Sequence, residues 1–125
     1  MTVEQLNHRI EQFDKALASL EEVIKLDNDD KNIIRDSTIR RFAFTLEMGW
    51  KLLQAILAEE EVTMPIGSPK SVIKAAYENN MISDVDDWVM ALRDRDNMSH
   101  LYSSDDSEAI YQRIKNIYID IFRQL

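Results

Sequence analysis

Only four of the 125 residues are Gly or Pro, and three of those four fall in one stretch, "EEEVTMPIGSPKS". A chain so poor in turn formers favours helices with few breaks. The apolar residues follow the same rule. Leu6, Ile10, Phe13, Leu17, Leu20 and Ile24 recur at steps of three and four, which puts them on one face of a helix of about six turns. "LDNDDKN" then reads as a short connection. The spacing predicts a second helix from about Asp36 to Glu60, with Ile39, Phe42, Phe44, Leu46, Trp50, Leu53, Ile56 and Leu57 forming a stripe broad enough to be covered on more than one side. It is expected to be the central helix.

Beyond the Pro-rich stretch, Ser68 followed by Pro69 is a helix start, opening a short helix through Val72, Ile73, Ala76 and Tyr77 that "ENNMIS" ends. Ser83 is expected to cap the next helix, whose buried face is Val85, Trp88, Val89 and Leu92 and whose positive end meets Asp84, Asp86 and Asp87. After "YSSDD" a last helix places Ile110, Ile114, Ile117, Ile121 and Leu125 at near-heptad spacing, with Tyr111 and Tyr118 beside them. The expected fold is all-α, an antiparallel up-and-down bundle of four to five helices spanning residues 1–125 as a single domain, and homodimeric.

A formal net charge of −8 argues against a general DNA or membrane binder, since phosphate binding is driven largely by Lys and Arg. Any RNA or nucleotide site has to be a local basic patch. There is no cysteine, hence no disulfide or thiolate metal site. With no apolar run of signal or membrane-span length, a cytoplasmic location is expected. His8 and His100 lie far apart in sequence and no Gly-rich phosphate loop occurs, so neither a metal nor a cofactor is expected. Arg40, Arg41 and Lys51 form a second concentration of positive charge, most simply read as a solvated or acid-paired face.

The segment "ALRDRDNMSHLYSSDD" carries arginines and a histidine to the end of the Trp88 helix. Arg95 continues the buried spacing from Trp88 and Leu92, toward neighbouring helices or another subunit, where it needs an anionic partner. Arg95 and His100 are about 140° apart on an ideal helix, so either the helix bends or ends between them or they converge across a symmetric dimer. Asp96 precedes His100 by four residues, a spacing at which a carboxylate can orient an imidazole.

Arg95, His100 and Tyr102 together resemble the Arg-x4-His-x-Tyr signature of the HEPN superfamily, specifically its HepT-like members. "TIRRFAFTLEMGWKLLQ", "SPKSVIKAAYENNMI" and "IYQRI" are similar, in the same order, to blocks of the nucleotidyltransferase substrate-binding subunits. One departure is Asp96, where many relatives carry Asn. The resemblance implies a homodimer encoded beside a separate minimal nucleotidyltransferase. It also implies a metal-independent ribonuclease toxin, restrained when that partner adenylylates the motif tyrosine. Arg95 and His100 then become the candidate catalytic residues, Asp96, Asn97 and Ser99 candidates for orienting or binding, and Tyr102 the candidate modification site. The alternative is a non-catalytic subunit that offers the nucleotidyltransferase a cleft for substrate or nucleotide.

Overall fold

In the computed structural model, residues 2–26, 30–60, 68–100 and 103–125 are described; they form helices and no strand. α1 (Val3–Ile24) opens on a capping box, in which the Thr2 hydroxyl accepts from the Gln5 amide and the Gln5 side chain accepts from the Thr2 amide. α2 (Lys31–Glu59) begins several residues before the expected Asp36, because Asp30 takes up the amides of Asn32 and Ile33 and starts the helix there. α3 (Pro69–Glu78) is capped by Ser68 with proline in its first turn, as its sequence predicts. It stops in a Schellman turn: the Met81 amide donates to Ala76 O, the Asn80 amide to Tyr77 O, and Asn80 sits at a φ of 60°. α4 (Val85–Asp96) has Asp84, not Ser83, at its cap position, and no side chain closes that end; Asp86 and Asp87 lie in its first turn.

The C-terminal rod is α5 (Ser104–Arg113), a π turn (Ile114–Tyr118) and α6 (Ile119–Arg123), with Ser103 capping its start. The π turn inserts one residue into the helical register. It therefore displaces the expected near-heptad stripe: Tyr118 and Phe122 are fully buried, while Ile117 and Leu125 are only half-buried.

α1 and α2 run antiparallel, since Thr45 Oγ1 donates to Ala16 O and Arg41 Nη1, earlier on α2, reaches Ser19 O, later on α1. α4 and the C-terminal rod do the same: Asp94 meets Arg113 and Tyr118, whereas Trp88 meets Phe122. α2 is the central element, packed against α1, α3, α4 and α5. The aromatic centre joins α2 to the C-terminal rod, with Phe42 stacked on Tyr118 at 5.1 Å and Phe122 edge-on to Trp88 at 5.6 Å. Gly49 lets α1 and α4 approach α2 there, as a Cβ on it would lie 3.2 Å from Phe13 Cε1 and 3.5 Å from the Trp88 ring. Phe44, expected in the α2 stripe, is 56% exposed. It flanks the buried Phe42 and Leu46 on the far side of the helix, where no described element covers it. No helix among the described residues is long and apolar enough to cross a membrane.

Candidate functional site

α4 ends with Arg93 and Arg95 in its last turn, where its negative pole favours cations. Arg95 has the anionic partners that its position demands. Its Nη1 lies 3.4 Å from Glu47 Oε2 on α2 and its Nη2 3.0 Å from Asp96 Oδ1; Glu47 Oε1 in turn lies 3.1 Å from Lys51 Nζ. The guanidinium is thus fixed across the α2–α4 junction, with a quarter of the side chain still accessible. Of the second positive cluster, Lys51 belongs to this group, Arg41 is tied to α1 through Ser19 O, and Arg40 is exposed.

The α-helix stops between Arg95 and His100. A 3-10 turn takes over at Asn97–His100, and the Asn97 amide reaches back to the carbonyls of Arg93 and Arg95. At about three residues per turn, positions three apart are aligned, so Asn97 and not Asp96 shares the face of His100 within this turn. The i,i+4 register behind the expected Asp96–His100 contact does not continue past Asp96. Asp96, Asn97, Ser99 and His100 are all exposed, while Met98 anchors the turn on the core. Tyr102 lies outside the described residues.

Arg95, Asp96 and Asn97 line one wall of a cleft of about 380 Å³, together with Arg93. The start of α3, with Ser68 and Lys70, also lines it, and Val89 and Leu92 give it an apolar floor. Three cations therefore face one lining carboxylate in a protein whose formal net charge is −8. Such a cleft suits an anion with an apolar or planar part. Among the described residues no group of three His, Cys, Asp or Glu converges as a metal site.

Directly behind Arg95, the carboxylate of Asp94 is buried. Arg113 holds it at two points, Nε to Oδ2 at 2.7 Å and Nη2 to Oδ1 at 2.9 Å, and the Tyr118 hydroxyl donates to Oδ2. Burial, and then the hydrogen bond to Asp94, push the Tyr118 phenol well above its usual range. Arg113 is likewise raised, chiefly by its hydrogen bond to Asp94. The group ties the last turn of α4 to the π turn, and so fixes the rotation of the helix that presents Arg95. Neither this group nor Glu47 stood out in the sequence. The partners are 19, 24 and 48 residues apart, and the only signal was an acid at position 94, three residues after the buried Ala91.

Residues 8–125 match the family described as nucleotidyltransferase substrate binding protein like. The chain belongs to this family. A probable ribonuclease HepT from Haemophilus influenzae is 28% identical over 134 residues, spanning 96% of this chain and 90% of that protein. A crystal structure of a Thermus thermophilus protein superposes with a TM-score of 0.79 at 34% identity, covering 90% of this chain and 93% of that one.

Proposed function

We propose that this chain is the HEPN-type toxin of a HEPN/minimal-nucleotidyltransferase pair, a metal-independent endoribonuclease acting through Arg95 and His100. The observation that carries the reading is the break of α4 between these two residues. It leaves Arg95 braced by Glu47 at the cleft and hands His100 to an exposed turn. Arg95 would meet the charge that develops on phosphorus as the RNA 2′-hydroxyl attacks, and His100 would move the proton, histidine being the residue type suited to that near neutral pH. Asp96, Asn97 and Ser99 would orient His100 or bind the strand, and the partner would adenylylate Tyr102 to silence the site. The similarity to a probable ribonuclease HepT supports this reading.

In the helical rises of an α turn and a 3-10 turn, Arg95 and His100 are separated by about 9 Å along the axis. A two-fold dimer would supply an Arg95 and a His100 from different subunits to one cleft. The large exposed apolar side chains among the described residues include Ile33 and Phe44 of α2 and Tyr77 of α3. Phe44 is three residues before Glu47 on α2, so a dimer that covers Phe44 would bring two Arg95 sites together.

A second reading is supported by the two acids on Arg95, Glu47 and Asp96, which weaken its field. It is the non-catalytic subunit that binds substrate or nucleotide for a separate nucleotidyltransferase. Inducing the protein alone in bacteria, beside His100→Ala at equal level, tests the choice. Growth arrest and RNA fragments that vanish in the variant are expected; healthy growth and intact RNA with both would leave the second reading standing.

A further inference from the structure

We propose that Lys70 and Arg93 form a second phosphate subsite, which holds the RNA phosphate next to the one being cleaved. The proposal rests on the ribonuclease reading and names the part of the same cleft that Lys70 and Arg93 line. Lys70 comes from the start of α3 and Arg93 from the last turn of α4, and both line the cleft that Arg95 and Asn97 share. Both are exposed, and among the described residues neither is held in an ion pair. Arg95 differs: it is already balanced by Glu47 and Asp96. The cleft thus separates a braced cation, suited to a fixed point of chemistry, from two unbraced cations, suited to grip a charge that arrives with the ligand.

Cations elsewhere on the surface are unpaired too, but here two of them, from different helices, line one cavity of about 380 Å³ beside a third. That room lies in the size range of small-ligand clefts and can take a nucleotide-length piece of strand. The apolar floor of Val89 and Leu92 gives the sugar or base a dry surface to rest on. At the mouth, Ser68 caps the Ser71 amide and Pro69 brings no N–H, so the Lys70 amide is the donor of that first turn which the cap leaves over. An acidic protein gains most from such an arrangement, because repulsion elsewhere on the surface confines the strand to this one groove.

The test is RNA binding by the intact chain, measured by fluorescence anisotropy with a labelled single-stranded 12-mer over a range of salt. The His100→Ala background keeps the RNA uncut. With Lys70→Gln and Arg93→Gln together, affinity at low salt is expected to fall about tenfold, and the slope of log K against log salt to shrink by roughly 0.7 to 1.4, the loss of one or two phosphate contacts. Lys15→Gln with Lys25→Gln removes the same charge from exposed positions of α1 and its end, and is expected to leave both quantities within twofold of the parent. With His100 intact, the Lys70/Arg93 variant should raise KM about tenfold and leave kcat within twofold.

Unchanged affinity and slope in the Lys70/Arg93 variant would overturn the subsite, as would an equal loss in the Lys15/Lys25 variant. Loss of ATP binding in equilibrium dialysis with RNA binding intact would also overturn it and assign the two cations to a nucleotide. If the parent protein binds RNA through Lys70 and Arg93 but never cuts it, the two cations stand as an RNA-phosphate site and the ribonuclease reading falls.

Discussion

Arg113 closes a two-point clamp on the buried Asp94, 2.7 Å from Nε to Oδ2 and 2.9 Å from Nη2 to Oδ1. The clamp lies one residue from Arg95, so it couples the stability of the bundle to the aim of the site. Asp94→Ala leaves a partly exposed guanidinium and a buried phenol without their acceptor, and is expected to cost about 1–3 kcal/mol in urea unfolding. Arg113→Ala exposes the same fault from the other side. A double-mutant cycle on the pair should return a coupling of at least about 1 kcal/mol; additivity would show that the clamp is not a unit.

Tyr118 gives the fold an alkaline limit. Its phenol ionises above the usual range when folded, because it is buried and bonded to Asp94. The folded state therefore holds the proton more tightly than the unfolded chain, whose tyrosine titrates near pH 10. The resulting stability is fully present below about pH 10 and is lost as pH rises beyond it. Unfolding curves at pH 8 and pH 11 should show this loss in the parent and a smaller one in Tyr118→Phe.

Gly49 is held to its size by the helices around it. Alanine would gain about 1 kcal/mol of helix propensity, but its Cβ would press on the Phe13 ring at 3.2 Å, and that ring is fixed edge-on against Phe122. Gly49→Val adds bulk and is expected to lower the midpoint of thermal unfolding by several degrees more than Gly49→Ala. A Gly49→Val protein as stable as the parent would show that α1 and α2 can part without cost.

Glu47 tempers Arg95. Glu47→Gln removes one acid from the guanidinium while keeping the shape of the side chain. For a partly exposed pair worth about 0.2–1 kcal/mol, RNA affinity should rise up to about fivefold. A fall in affinity would mean that Glu47 matters more for placing Arg95 than for shielding it, and Arg95→Lys would then be expected to fail alongside it.

The helices and their order were legible in the chain because amphipathic spacing, the Ser68-Pro69 start and the single Pro-rich stretch are local signals, each contained within a few turns. The same holds for the placing of Arg95 at the end of a helix and for the need for an acid beside it. That Glu47 joins the adjacent Asp96 on its guanidinium was decided only in three dimensions, since Glu47 reaches it from another helix 48 residues away. The π turn that brings Tyr118 and Phe122 into the core has no periodic signature, because one inserted residue shifts every later position off the spacing by which a helix is recognised. The clamp on Asp94 and the cleft that Lys70 and Arg93 share arise in the same way, from chain segments that sequence keeps apart and packing brings together.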